Sequence, residues 1–139
     1  MISTKGRYAL RILIDLAEQG DESPVRLKDI ARRQGISEKY LQHIAKLLVD
    51  QNLLRGTSGK SGGYLMTRAP EDCSVAEVLD AAEGTLAPVA CLACDTVECE
   101  RQDVCKTLPM WQKFDALTRD FFDGVTIADL VNGSIDLDS

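Results

Sequence analysis

The sequence predicts a mainly α-helical protein with one small β-hairpin. Apolar residues recur at three- and four-residue spacing, polar segments separate these runs, and one glycine-rich segment lies between two short apolar strands. At 139 residues, with 45% hydrophobic and 27% charged residues, the chain can bury its own core and resembles average globular proteins. We expect a cytosolic protein, because no signal segment follows the start and no apolar run is long enough to cross a membrane.

Three helices are predicted in the first fifty residues. Ser3 or Thr4 can cap the first helix, which buries one stripe: Ala9, Ile12, Leu13, Leu16 and Ala17. The second helix is shorter and turns three residues inward: Leu27, Ile30 and Ala31. Its outward residues are basic: Arg26, Lys28, Arg32 and Arg33. A glycine and a serine, Gly35 and Ser37, form the tight turn into the third helix over residues 37–50.

A β-hairpin is predicted directly after the third helix. Residues 53–55 form the first strand, residues 56–62 the loop and residues 63–66 the return strand. Three helices and a hairpin make a winged helix-turn-helix, whose third helix enters the major groove of DNA while the hairpin, or wing, lies against phosphates. The candidate DNA-contacting residues are Ser37, Lys39, Tyr40, Gln42, His43, Lys46, Arg55, Ser58, Lys60 and Ser61.

The charges are divided unevenly along the chain. Residues 1–70 carry a net charge of +5 and the remainder carries −11, within a total of −6. A basic half is the electrostatic footprint of a nucleic-acid-binding region even when the whole chain is acidic. We therefore predict a DNA-binding domain over residues 1–70 and a second region over residues 71–139. No arrangement of base, nucleophile and oxyanion donors is visible, so an enzyme is not expected.

Four of the five cysteines lie within fifteen residues: Cys91, Cys94, Cys99 and Cys105. In a cytosolic chain such a density favours a metal, a cluster or redox chemistry over structural disulfides. Zinc and an iron–sulfur cluster both remain open, because thiolates on a loop suit either one. The fifth cysteine, Cys73, lies beside a predicted helix start and is interpreted as an ordinary small residue.

The second half contains three predicted helices. Ser74 and Glu77 form a capping box that opens a helix through Ala82, and Thr126 caps a short last helix. Between them, a helix beginning near residue 108 or 109 carries a largely aromatic stripe: Trp111, Phe114, Leu117 and Phe121. Because the first seventy residues already complete a winged helix, we expect this stripe to pair with a second copy of the chain.

Several segments together resemble one family over essentially the whole chain. They are STKGRYA at residues 3–9, the helix-turn-helix over residues 30–41, GGYL at residues 62–65 and the cysteines before Trp111. They resemble the IscR/NsrR/CymR-type family of bacterial winged-helix transcriptional regulators, and most closely its cysteine-containing members. The resemblance implies a homodimer on double-stranded DNA, with a 2Fe-2S or 4Fe-4S iron–sulfur cluster in a loop, residues 91–105 here, before the dimerisation helix.

The cysteines match that family unevenly. Cys99 and Cys105 match its second and third cysteines, whereas Cys91 or Cys94 fills the first place. Leu108 stands where the iron–sulfur cluster regulator has a histidine ligand, and leucine cannot ligate. Binding through both Cys91 and Cys94 would give an all-thiolate site.

The predicted function is a homodimeric regulator that senses cluster, redox or nitric oxide status and binds a palindromic operator. Gln42 replaces an acidic residue of the iron–sulfur cluster regulator, and glutamine can pair with adenine. Two alternatives stay open. One is a cysteine-metabolism repressor of the same family acting with a partner protein, and the other is a zinc- or thiol-stabilised protein-interaction module.

Overall fold

The computed structural model describes residues 2–20, 23–89, 92 and 104–138. It contains six helices and one two-stranded antiparallel sheet within those residues: α1 (Thr4–Gln19), α2 (Leu27–Gln34), α3 (Glu38–Asp50), β1 (Leu54–Thr57), β2 (Gly63–Met66), α4 (Val75–Glu83), α5 (Leu108–Asp123) and α6 (Ile127–Asn132). The predicted fold, mainly α with a winged helix-turn-helix and a later long helix, is confirmed. Within the described part of the chain, every helix is too short or too polar to span a bilayer.

The main core is built around α1. Its apolar stripe packs against α2, α3, α4 and α6, and the largest of the core side chains with no solvent exposure are Ile12, Leu13, Ile30, Leu41, Ile44, Leu48 and Ile127. Cys73, Val78 and Ala82 belong to the same core, so residues on both sides of the predicted boundary at residue 70 contribute to it. The division into two domains stays a prediction.

The turn between α2 and α3 follows from two residues. Gly35 ends α2 with φ +65°, a left-handed conformation that glycine adopts without strain. Two residues later, the Ser37 hydroxyl accepts a hydrogen bond from the Tyr40 amide and caps α3. The predicted helix-turn-helix geometry is therefore encoded locally.

A buried carboxylate joins α1 to α2. Asp15 is 2% exposed and accepts hydrogen bonds from Arg33 Nη2 at 2.6 Å, from Arg33 Nε at 3.0 Å and from Gln34 Nε2 at 2.9 Å. Arg11 of α1 also donates to the Gln34 side chain and backbone. The hydrogen bond to Asp15 raises the pKa of the Arg33 guanidinium above its ordinary value. Arg33 was predicted only as an outward basic residue, yet it ties the two helices together.

The wing differs from the prediction in two ways. The first strand covers residues 54–57 instead of 53–55, because its hydrogen-bonded register with β2 continues through Gly56 and Thr57. In addition, Val25 pairs with the outer edge of β2: the Val25 amide donates to Tyr64 O at 3.0 Å and the Tyr64 amide donates to Val25 O at 2.8 Å. The segment before α2 thus acts as a third, one-residue strand of the wing.

The starts of α4 and α6 are held side by side. The Val75 amide donates to Val125 O at 2.8 Å, and the Ile127 amide donates to Cys73 O at 2.9 Å. Each helix also begins with a capping box, as predicted for α4. The chain therefore leaves α4, runs through the cysteine segment and α5, and returns to the first turn of α4.

Candidate nucleic-acid interface and cysteine segment

The outer face of α3 is polar, basic and exposed, as predicted. Lys39, Gln42, His43 and Lys46 all point to solvent. Lys46 Nζ lies 3.0 Å from Asp50 Oδ2, in an exposed pair one turn further along the helix. Such a pair contributes little to stability, on the order of 0.3–0.5 kcal/mol, so it leaves Lys46 available to another anion.

Tyr40 lies on the side of α3 that faces α1. Its ring meets Tyr8 edge to face with a centroid distance of 5.6 Å, and its hydroxyl lies 3.2 Å from Thr4 Oγ1. The guanidinium group of Arg11 lies over the ring of Tyr8, 5.5 Å from the ring centroid. Tyr40 is half-buried and fixes how α3 sits on α1, while its role in DNA contact stays a prediction.

The wing presents its candidate residues to solvent. Arg55, Ser58, Lys60 and Ser61 are exposed, and Arg55 and Lys60 form no ion pair with any other described residue. Arg26, just before α2, donates from Nη2 to the backbone carbonyl of Lys60. Sequence reasoning missed this contact, because it joins two residues that are far apart in the chain.

Gly63 sets how closely the wing approaches α2. Its φ is +156°, and a Cβ atom there would lie 2.5 Å from both the carbonyl carbon and the oxygen of Val25. No real Cβ contact is that short, so a side chain would force the two backbones apart and break the Val25–Tyr64 pair of hydrogen bonds.

We expect Gly63→Ala to lower the free energy of unfolding by about 2–3 kcal/mol, since backbone strain and backbone hydrogen bonds are both affected. The matched control is Gly59→Ala in the same hairpin, where φ is +101° but nothing lies within 4 Å of a new Cβ. It should lose only the strain contribution, about 1 kcal/mol. Urea unfolding monitored by circular dichroism measures both, and equal losses in the two variants would contradict the assigned role of Gly63.

Three of the four clustered cysteines, Cys91, Cys94 and Cys99, lie outside the described residues. Cys105 is half-buried, and its Sγ lies 3.3 Å from Thr107 Oγ1, directly before the first turn of α5. The described residues alone contain no group of three or more His, Cys, Asp or Glu side chains that could hold a metal. The four thiols nevertheless suit iron, because soft sulfur ligands are those that iron–sulfur clusters use.

Cys73 differs from the other cysteines. It is 1% exposed within the main core, and burial raises the pKa of its thiol to about 11, assisted by the charge of Glu77. A thiol that keeps its proton and has no access to solvent is a poor metal ligand. This supports the interpretation of Cys73 as an ordinary small core residue.

A carboxylate at the end of α4 connects the approach to the cysteine segment with the start of α1. Glu83 Oε1 accepts hydrogen bonds from the Ser3 amide at 2.7 Å, the Ser3 hydroxyl at 2.8 Å and the Gly6 amide at 2.8 Å. Burial raises the pKa of Glu83, but these hydrogen bonds outweigh burial and hold it below the ordinary value of 4.5. Sequence analysis did not identify Glu83, which has no local pattern to mark it.

The stripe on α5 has no cover within the described chain. Phe114 is 41% exposed, and Leu117 and Phe121 are each 58% exposed. Trp111 is half-buried against Phe114, and no residue of α5 is buried. The opposite side of the helix is attached to α4 through Arg119, whose two Nη atoms donate to the Asp80 carboxylate at 2.6 and 3.1 Å.

Comparisons with known proteins agree with this architecture. The Rrf2 family profile, described as an iron-dependent transcriptional regulator, matches residues 2–133. Protein rrf2 of Nitratidesulfovibrio vulgaris is 38% identical over 130 residues, which cover 94% of this chain and 86% of that protein. The HTH-type transcriptional regulator IscR of Pectobacterium carotovorum is 32% identical over 137 residues, which cover 99% of this chain and 82% of that protein.

Solved structures are similar over nearly the whole chain. CymR, the global cysteine regulator of B. subtilis, matches with a TM-score of 0.79 and 30% identity over 98% of both chains. IscR of T. potens matches with a TM-score of 0.77 and 31% identity over 97% of this chain and 88% of the other. Both similarities extend through the wing and the long helix, so they concern the whole architecture.

Proposed function

Because the chain belongs to the Rrf2 family of transcriptional regulators, which are DNA-binding proteins and not enzymes, we propose that it is a homodimer that senses iron–sulfur cluster, redox or nitric oxide status through a cysteine-ligated cluster. The observation that carries this proposal is the concentration of four cysteines directly ahead of α5, on a chain that presents an exposed α3 and wing elsewhere. Each protomer of the dimer contributes one α3 and one wing, and the two sets are related by a two-fold axis.

Cys91, Cys94, Cys99 and Cys105 would hold the cluster. Leu108, the first residue of α5, offers no ligand atom, which favours an all-thiolate site of the 2Fe-2S or 4Fe-4S type. When bound, the cluster supplies a centre whose stability depends on iron supply, oxidants and nitric oxide. The chain's own residues supply the ligands and fix the position of Cys105 at the start of α5.

The DNA-binding surface consists of α3 and the wing. Lys39, Lys46, Arg55 and Lys60 contact phosphates, and Gln42 reads a base edge in the major groove. Ser37, Tyr40, His43, Ser58 and Ser61 complete this surface. A two-fold dimer puts its two α3 helices about 34–36 Å apart when the half-sites are one helical turn apart, so the operator is an imperfect palindrome.

A set of contacts connects α5, which follows the cysteine segment, to α3 and supports communication between them. Arg119 of α5 binds Asp80 of α4, and Glu83 of the same helix binds the first residues of α1. Thr4 of α1 then contacts Tyr40 of α3. A shift of α5 relative to α4 can therefore change how α3 is presented to DNA.

Anaerobic purification tests the cluster. The wild-type protein should be coloured and contain iron and acid-labile sulfide, and Cys99→Ala or Cys105→Ala should abolish both, whereas the control Cys73→Ala should keep them. Replacing Cys91 and Cys94 one at a time reports whether one or both are ligands. A colourless protein with stoichiometric zinc would rule the cluster out.

DNA selection tests the other half of the proposal. Full-length protein should enrich an imperfect palindrome from random duplex DNA in the cluster-loaded or the cluster-free form. If neither form enriches a palindrome, the regulator proposal fails and the protein-interaction alternative replaces it.

A second candidate function is a regulator of cysteine metabolism that acts with a partner protein. The structural similarity to CymR, with a TM-score of 0.79, favours it. The same experiments separate the two, because this candidate selects DNA but requires no iron or sulfide.

A further inference from the structure

A cleft of about 700 Å³ separates the start of α2 from the wing loop. Three cationic side chains line it: Arg26 and Lys28 from the α2 side and Lys60 from the wing. Glu38, the first residue of α3, is the only acidic side chain in the lining. We call this space the α2–wing cleft.

The three cations have no carboxylate partner among the described residues. Arg26, Lys28 and Lys60 are all exposed, and no described carboxylate lies within ion-pair distance of any of them. In contrast, Arg32 on the last turn of α2 lies 3.4 Å from Asp29. Cations gathered around a cleft without carboxylate partners repel one another, and binding an anion offsets that repulsion.

The two walls of the cleft are fixed relative to each other. Arg26 donates to the Lys60 carbonyl, and the Val25–Tyr64 hydrogen bonds attach the segment before α2 to β2. Gly63 allows the backbones to approach closely. Because Lys28 and Lys60 stand on walls that are already in place, little ordering is needed when an anion enters, and affinity benefits.

The position of the cleft identifies the anion as part of the DNA. The cleft is bordered by the wing and by the first turns of α2 and α3. The wing and α3 are the two elements that the proposed function brings to the duplex. With α3 in the major groove, the nearest anions are the phosphates that border that groove. The first turn of α2 adds backbone amides without a side-chain cap, because Arg26 occupies the N-cap position.

We propose that the α2–wing cleft seats one backbone phosphate of each DNA half-site, bound by Lys28 and Lys60, while Arg26 positions the wing. This inference rests on the proposed DNA binding and assigns Lys28 and Arg26 roles in it. Glu38 lowers the affinity of the cleft for phosphate, so Glu38→Gln should strengthen DNA binding.

Single-phosphate substitution tests the cleft directly. Full-length protein is titrated with its selected DNA carrying one neutral methylphosphonate at each backbone position in turn. One position per half-site should weaken wild-type binding, have a smaller effect on Lys28→Gln or Lys60→Gln, and have no effect on the double variant. The double variant should also reduce the slope of log K against log salt by about one per half-site, and each single variant should reduce it by less. The double variant should lose less than the two single losses combined, because both lysines hold the same phosphate.

Two further variants complete the test. Arg32→Gln removes the same charge from the same helix outside the cleft and should bind within about twofold of wild type. Arg26→Lys keeps the charge but loses the guanidinium, and should weaken binding without changing the salt slope. Equal behaviour of Lys28→Gln and Arg32→Gln, or the same methylphosphonate profile in Lys28→Gln and wild type, would overturn the cleft alone. A wild-type chain that selects no DNA would overturn the proposed function as well.

Discussion

Phe121→Asp is expected to convert the proposed dimer into a monomer at micromolar concentration. Phe121 is 58% exposed in the single chain, so replacing it costs the fold of one protomer little. In the paired state the same change removes a buried aromatic group, worth about 3–5 kcal/mol, and places a carboxylate in an apolar interface. Two-fold symmetry applies this cost twice. Sedimentation velocity at several concentrations measures the result.

The matched control for this prediction is Ala116→Asp. Ala116 is exposed on α5 and lies outside the stripe of Trp111, Phe114, Leu117 and Phe121. The Ala116→Asp substitution introduces the same charge on the same helix. Because that charge lies outside the stripe, the variant should stay dimeric. Wild-type protein that sediments as a monomer, or a Phe121→Asp variant that stays dimeric, would show that α5 is not the pairing surface.

Asp15→Ala is expected to lower the free energy of unfolding by about 3 kcal/mol. The substitution removes a 2% exposed carboxylate that accepts hydrogen bonds from Arg33 and Gln34. Breaking a buried ion pair by deleting one partner costs about 3–5 kcal/mol. The lower end applies here, because the Arg33 side chain is 32% exposed and can turn to water. Chemical denaturation should show a lower midpoint with an unchanged slope.

Asp29→Ala serves as the comparison for Asp15→Ala. Its partner Arg32 is 75% exposed and the pair distance is 3.4 Å, so the loss should be below about 1 kcal/mol. Because Asp15 joins α1 to α2, its loss should also weaken DNA binding more than the loss of Asp29 does. Similar midpoints for the two variants would contradict the structural role of Asp15.

Local signals explain what could be predicted from the sequence. Helix caps such as Ser37 and Ser74, the glycine turn at Gly35 and the apolar periodicity act within a few residues of themselves. They were sufficient to predict the winged helix and the exposed stripe of α5. The exposed residues of α3 and the wing follow from the same periodicity.

Long-range contacts explain what could not be predicted. Three contacts form only after the helices have packed: the hydrogen bonds of Ser3 to Glu83 and of Arg33 to Asp15, and the pairing of Val25 with Tyr64. No spacing rule connects such residues, since each partner is chosen by tertiary geometry. Arg26 and Lys28 likewise look like ordinary solvated charges until the wing is placed beside them.

The attachment of both ends of the segment 84–124 to α4 has a consequence for how this architecture can vary. One end follows Glu83, which is bound to α1, and the other reaches Val125, which is hydrogen-bonded to Val75. Both ends of the segment are therefore fixed beside α4, and for a flexible connection between fixed ends each doubling of length costs only about 0.6 kcal/mol of chain entropy. Changes in the length or the cysteines of the connection between α4 and α5 are therefore expected to leave α1, α2, α3 and the wing folded.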